Sequence, residues 1–287
     1  MEWLKNLNAA IAYIEDNLDK ELSYEEAARA ACCSPCYFQR IFSYVSGMTL
    51  SEYIRRRKMT QAAFELQQTD SKIIDIALKY GYSSPTSFNR AFQKVHGLPP
   101  TAARASGSRL NVYPSLQFKV KMTGAQAMAY SIVKKPPLHI VGIRVPMTED
   151  REKNLKLVPA FWKAAWQGNR LLYLCALSAQ EPGQILGISV YKNPREIYYY
   201  IGIPADTPAP PGMYEYEIPA SSWAVFENDG SFKETVQRTF RRFPTEWLPF
   251  SGYTHAGLPD VEVYPFADAK AVQGRSQVWI AIRKEGH

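Results

Sequence analysis

The sequence predicts two domains of different class: an all-α N-terminal domain of two helix-turn-helix units joined by a long helix, and a C-terminal α+β domain. Three observations predict this. A length of 287 residues exceeds one ordinary domain. A helical pattern in the first third repeats at an offset of 50 residues. Beyond Pro99-Pro100 the apolar period changes from that of a helix to the alternation of strands.

The repeat is explicit. Ser34, Pro35, Phe38, Arg40, Phe42, Val45 and Gly47 recur as Ser84, Pro85, Phe88, Arg90, Phe92, Val95 and Gly97. In each copy Ser-Pro reads as an N-cap followed by proline at the first helical position, where its missing N–H costs least. Phe38, Ile41, Phe42 and Val45, and Phe88, Ala91, Phe92 and Val95, then form one apolar stripe. Gly47 and Gly97 end the helices. The other face carries Cys36, Tyr37, Gln39 and Arg40 in the first copy, and Thr86, Ser87, Asn89 and Arg90 in the second. Short polar side chains with one arginine suit a helix that enters a major groove.

A shorter helix precedes each capped one, at Tyr24–Ala31 and Ile73–Tyr80, with Ala27 and Ala77 at corresponding positions. Helix, tight turn, helix is the plan in which the second helix reads DNA. Leu50, Tyr53, Ile54, Met59, Ala62 and Ala63 predict the linking helix, whose exposed side is expected to bear Arg55, Arg56, Arg57 and Lys58. That run is either a solvated face or a set of phosphate contacts, with Arg55 and Arg57 as the candidates.

Charge supports the nucleic-acid reading. The overall +7 divides into −5 over residues 1–28, +7 over 29–104 and +5 over 105–287, so the positive field is densest around the repeat. No run approaches the ~18 apolar residues of a membrane span, and the N-terminal stretch is acidic and amphipathic. Four cysteines cannot supply a disulfide framework, and a cytoplasmic location is expected. Cys32, Cys33 and Cys36 read either as small structural residues or as a thiol switch; a zinc site lacks its fourth ligand nearby.

With these residues in view, the first ~105 positions resemble the paired helix-turn-helix domain of AraC/XylS-type bacterial transcription regulators, most specifically in A-L-K-Y-G-Y-S-S-P-T-S-F-N-R-A-F-Q-K-V-H-G-L-P-P, Ala77–Pro100. The resemblance implies double-stranded DNA as a partner, RNA polymerase as a second, and two recognition helices in successive major-groove segments. It places Cys36, Gln39, Arg40, Pro85, Thr86, Ser87, Asn89 and Arg90 at or near the DNA. Cysteine at 36 and proline at 85 are poor base readers, so DNA shape is expected to carry part of the specificity.

Ser106-Gly107-Ser108 reads as a linker, dividing residues 1–107 from a second domain over 112–287. Leu116, Phe118 and Val120 alternate with lysines as a strand, followed by strands at Ala127–Lys134 and His139–Pro146. A helix spans about Asn154 to Gln167. Strands at Ile185–Lys192, Arg195–Ile203, Met213–Ile218 and Ser222–Glu227 precede a helix at Ser231–Arg242, and strands at Asp260–Tyr264 and Ser276–Arg283 complete the set. Two similar halves with helices on one side of an antiparallel sheet are expected.

This order, with S-G-Y-T-H (Ser251–His255), D-V-E-V-Y-P (Asp260–Pro265) and V-W-I-A-I (Val278–Ile282), resembles the GyrI-like effector-binding domains. The resemblance implies a duplicated strand-helix-strand-strand unit with an aromatic-lined cleft and a carboxylate for cationic lipophilic ligands, which by motif position is Glu262. Independently, alternation puts Glu262 and Tyr264 on one strand face and Val261 and Val263 on the other. The candidate ligand residues are Glu262, Tyr264, Phe161, Trp166, Trp223 and Trp247, aromatics being suited to organic cations and flat ligands as well as to a core.

The leading expectation is a one-component regulator that binds a small amphipathic or cationic lipophilic effector, without cofactor or metal. The alternatives for the second domain are a protein-interaction module, or a hydrolase in which Glu262 activates water beside Tyr253 or Tyr264. No nucleophile triad, metal-ligand cluster or phosphate loop supports catalysis, the histidines at 96, 139, 255 and 287 being scattered. His96 reads as a helix-end residue.

Overall fold

A computed structural model describes residues 2–105, 107–119, 127–148, 151–168, 170–178, 183–193, 196–265 and 273–284. Ser106, Val120, Lys121, Arg195 and His287, all used above, lie outside the described residues. The chain forms two compact units: Glu2–Phe38 with Ser46–Lys119, and Val120–His287 with the short segment Gln39–Val45.

The N-terminal helices are α1 (Glu2–Asp16), α2 (Tyr24–Ala30), α3 (Pro35–Ser46), α4 (Leu50–Gln68), α5 (Ile73–Lys79), α6 (Pro85–His96) and α7 (Pro100–Ala103). The repeat's caps form alike in both copies. Ser34 Oγ accepts from Tyr37 N–H at 3.3 Å and Ser84 Oγ from Ser87 N–H at 3.2 Å. Gly47 and Gly97 close the helices at φ +76° and +81°, where an L side chain is strained. Phe38, Phe42, Phe88 and Phe92 are fully buried. Phe88 and Phe92 belong to a core with Met59, Leu66, Ile76 and Ala77, so the second helix-turn-helix packs on α4.

The two turns differ by one residue. Cys33 N–H donates to Ala28 O, and Tyr82 N–H to Ala77 O, so the structural equivalent of Ala77 is Ala28 and not Ala27. The second turn then takes an extra serine before its cap. Cys32 adopts the left-handed conformation, φ +54°, where the second copy has Gly81 at +83°. A Cβ in that region costs about 1–2 kcal/mol. Cys32→Gly is therefore expected to raise the stability of the helical unit by about 0.5–1 kcal/mol, read as a higher urea midpoint; an unchanged or lower midpoint refutes the strain.

The strand expected around Leu116 does not form. Residues 110–119 have no regular secondary structure and are tied to the helical unit by side chains. Asn8 bonds both the N–H and the C=O of Phe118, Tyr53 Oη accepts from Leu116 N–H at 3.1 Å, and Thr60 Oγ1 accepts from Tyr113 N–H at 3.2 Å. Backbone groups satisfied in this way have no need of a sheet partner. His96, at the end of α6, is buried beside Asn111: its Nε2 meets Met59 O at 3.0 Å and its Nδ1 accepts from Asn111 N–H at 3.3 Å.

Among the described residues the second unit forms a nine-stranded antiparallel sheet. Its strands are β1 (Tyr130–Lys135), β2 (Leu138–Pro146), β3 (Gln184–Asn193), β4 (Glu196–Pro204), β5 (Tyr214–Ile218), β6 (Ser221–Ser231), β7 (Tyr253–His255), β8 (Asp260–Pro265) and β9 (Gln273–Lys284), in the order β1-β6-β9-β8-β3-β4-β2-β5 with β7 beside β9. Helices α8 (Arg151–Gln167) and α9 (Arg170–Ala176) follow β2, and α10 (Phe232–Arg242) follows β6. A π-helical turn at Phe243–Trp247 runs into α11 (Leu248–Ser251). The order is palindromic: β6-β9-β8 mirrors β2-β4-β3, and β1 and β5 flank the two triplets. The duplicated strand-helix-strand-strand unit is thus present, and its halves meet where β3 pairs with β8. α9, β7 and the π turn are additions to the sequence reading.

Candidate functional site

On α6 the apolar stripe fixes what faces water. With Phe88, Phe92, Val95 and His96 buried, Pro85, Thr86, Ser87, Asn89 and Arg90 are exposed, as are Gln93 and Lys94 one turn further on. Ser87 Oγ donates to Ser84 O at 2.8 Å, so its hydroxyl is shared with the cap. Gln93 follows Asn89 by four residues on the same face and is absent from the sequence candidates; the i, i+4 rule is the signal that finds it. On α3, Cys36 and Gln39 are half-buried and Tyr37 is buried, so Tyr37 does not belong to the polar face; Arg40, expected at the DNA, instead pairs with Asp260 at 2.7 Å with its side chain only 10% exposed.

The basic run on α4 requires a correction. Successive helical residues turn by about 100°, so four in a row cannot all face solvent. Arg57, four residues after buried Tyr53, points inward. Its Nε and Nη2 bond Glu15 at 2.6–3.0 Å, its Nη1 donates to Tyr113 O, and only 7% of the residue is exposed. Arg57 is a structural arginine and not a phosphate contact. Arg55 and Arg56 both pair with Glu52, and Lys58 Nζ donates to Tyr80 O at 3.0 Å.

In the second unit the seam of the two halves carries the carboxylate. Glu262 on β8 pairs with Gly187 on β3, next to Ile185 opposite Tyr264. Its side chain lies on the sheet face that α8 and α9 cover, since the cross-strand partners Gly187 and Ile201 share that face with Ile143. Tyr199 Oη donates to Glu262 Oε2 at 2.7 Å and Tyr264 Oη to the same oxygen at 2.8 Å, while Trp162 Nε1–H on α8 donates to Tyr199 Oη at 3.0 Å. Among the described residues Oε1 receives no hydrogen bond. Trp162 and Phe232, from the helices of opposite halves, stand edge-on to Tyr264 at 5.3 and 5.1 Å. Gly187 makes the cluster possible: a Cβ there would lie 2.1 Å from Tyr199 Oη and 2.8 Å from Glu262 Oε2.

Burial dominates the electrostatics. It pushes the Glu262 carboxyl up to about 7 against the lowering effect of the two hydroxyls, with the nearby Asp260 charge adding to the rise. The Tyr199 and Tyr264 hydroxyls are held well above their ordinary value, first by burial and then by the Glu262 charge, so both remain donors.

Not all the aromatic candidates join this cluster. Trp223 lies on the opposite face: it pairs with Ala281 on β9, whose neighbour Trp279 faces Val261, and all four belong to the core behind the sheet. Trp247 packs among Phe226, Phe243, Tyr130 and Tyr253 under α10. Phe161 and Trp166 pack on the core beneath α8, and it is Trp162 that reaches Tyr199.

Neither Cys33 nor Cys175 carries a reactive signature. Burial, then the neighbouring Cys32, pushes the Cys33 thiol up to about 12, and burial raises Cys175 to about 11. Among the described residues no group of three or more His, Cys, Asp or Glu is placed to hold a metal, and no helix is long and apolar enough to cross a membrane.

Residues 128–283 match the model of the GyrI-like small molecule binding domain, and residues 27–106 match a helix-turn-helix domain model. Over 114 residues the chain is 39% identical to the HTH-type transcriptional activator AarP of Providencia stuartii, covering 40% of this chain and 84% of that protein. This chain is an AraC-type transcription regulator with a GyrI-like domain. The regulator is also 36% identical over 104 residues to the regulatory protein SoxS of Escherichia coli K12, covering 36% of this chain and 97% of SoxS. A solved bacterial transcription regulation protein from Staphylococcus aureus MU50 aligns with 55% of the regulator and 99% of its own length, at 18% identity and a TM-score of 0.47.

Proposed function

We propose that the regulator acts in the cytoplasm as a one-component switch. The exposed face of α6, with Cys36 and Gln39 of α3, reads promoter DNA, and a lipophilic organic cation bound at Glu262 changes the output through RNA polymerase. The observation that carries the effector reading is the Glu262 cluster: a carboxylate out of water, with a vacant acceptor oxygen among the described residues and aromatic edges from both halves around it. A cation supplies the charge this group lacks, and the aromatic faces add about 0.5–2 kcal/mol per contact. Glu262 serves here by its charge, and no chemical step is assigned to it.

The DNA half of the reading is tested by affinity for a promoter fragment as a function of salt. Removing one cation–phosphate pair lowers the slope of log K against log[salt] by about 0.9. Arg90→Ala is expected to weaken binding at least tenfold, and Gln93→Ala to alter the preferred sequence. Unchanged affinity in Arg90→Ala, or binding indifferent to salt, defeats the assignment of α6. Tryptophan quenching by lipophilic cations, abolished in Glu262→Gln and absent with neutral analogues, tests the effector half; quenching that survives the substitution removes Glu262 from the site.

A further inference from the structure

The sheet has a cavity on the face away from Glu262. It encloses about 210 Å³ and is lined by Lys135, Pro136, Leu138, Gln184, Pro204, Ile218, Trp223 and Trp279. Register places these side chains behind the sheet: Trp223 pairs with Val133 two residues from Lys135, Leu138 pairs with Ile218, and Gln184 precedes Ile185, which points to the Glu262 side. The cavity therefore shares strands with the Glu262 cluster without sharing a surface.

Its walls are apolar and aromatic except at Lys135 and Gln184. Lys135 Nζ stands 3.9 Å from the ring centroid of Trp279, and Trp279 meets Trp223 edge-on at 6.3 Å. No carboxylate is paired with Lys135 among the described residues. A partly buried cation held over an indole is opposite in sign to the Glu262 arrangement. We propose that this cavity is a second ligand site, for a small carboxylic acid whose carboxylate meets Lys135 and whose apolar body lies on Trp279, Ile218 and Leu138. Gln184 offers an amide N–H₂ from β3 for the second carboxylate oxygen. Burial alone lowers the Lys135 amine from its ordinary value, so an arriving anion recovers the stabilisation that burial removes. The volume suits one or two rings or a short acyl chain, and the neutral walls give an anion its only charge partner.

The site is distinguished from the Glu262 cluster by the sign of its charge and by its residues. With the full-length chain ¹⁵N-labelled at tryptophan, benzoate and indole-3-acetate are titrated against their primary amides while the six indole N–H signals are followed, Trp279→Phe assigning one of them. Saturable shifts of the Trp279 signal, at least tenfold tighter for the acids than for the amides, are expected. Lys135→Gln removes the preference, Lys135→Arg restores it, and Glu262→Gln leaves it intact. Equal affinity for acid and amide, an undiminished preference in Lys135→Gln, dependence on Glu262, or no saturable shift with either acid overturns the proposal. Unchanged circular dichroism of Lys135→Gln shows that any loss is one of binding.

Discussion

Arg57→Ala is expected to destabilise the helical unit by about 3 kcal/mol, the lower end of what breaking a buried ion pair costs. The magnitude follows from what is left behind. Glu15 accepts from Arg57 and also from Tyr53 Oη at 2.6 Å, and Tyr53 Oη in turn accepts from Leu116 N–H. Tyr113 O loses its guanidinium donor at the same time. Removing the arginine strands a half-buried carboxylate and loosens residues 113–116 together. Because α1, α4 and this connecting segment share one network, the loss cannot be absorbed by a single side chain moving to solvent. The double variant Glu15→Ala/Arg57→Ala is expected to recover part of the loss, since no charge then remains buried. Helical circular dichroism during urea unfolding reads both; an Arg57→Ala midpoint within error of the parent returns Arg57 to the surface and to the phosphate-contact reading.

The Arg57 case shows what sequence can and cannot carry. The caps at Ser34 and Ser84 and the stops at Gly47 and Gly97 are local chemistry, decided within four residues, and they form where the repeat puts them. The same holds for the alternation of Val261, Glu262, Val263 and Tyr264, because a strand has only two faces. A run of four basic residues hides the one that turns inward, since its partner Glu15 lies 42 positions away. Trp223 escapes sequence reasoning for a related cause. Alternation ranks the residues of β6 against one another, but which face also holds Glu262 is set by register through β9 and β8, from Trp223 opposite Ala281 to Trp279 opposite Val261. Tyr199 and Gly187 complete the cluster from two other strands, and no spacing in the sequence connects them to Glu262. The connecting segment around Leu116 alternates like a strand, yet side-chain acceptors and donors on α1 and α4 take its backbone groups first.

Glu262 carries the other large effect, and its sign depends on whether a cation is present. In the unliganded protein its carboxyl is raised from 4.5 to about 7. A carboxyl raised in the folded state is a liability whenever it is ionised: the cost is absent below about pH 4.5, grows as the pH rises and is complete above about 7. At about 1.4 kcal/mol per unit the full cost is on the order of 3 kcal/mol. Glu262→Gln is therefore expected to raise the melting temperature clearly at pH 8 and much less at pH 5, where the folded parent is still neutral and little of the cost has accrued. A bound cation inverts the balance, because it binds only the ionised form with full strength. Affinity for a lipophilic cation is expected to rise about tenfold between pH 6 and pH 8 and to level off beyond, tracking a group that titrates near 7. In Glu262→Gln both the affinity and its pH dependence should vanish together. Tryptophan-quenching titrations at pH 6, 7 and 8, paired with thermal melts of parent and variant without ligand, measure both halves. A parent affinity flat across that range, or a variant no more stable at pH 8, contradicts a buried carboxylate kept at the expense of stability in order to receive a positive charge.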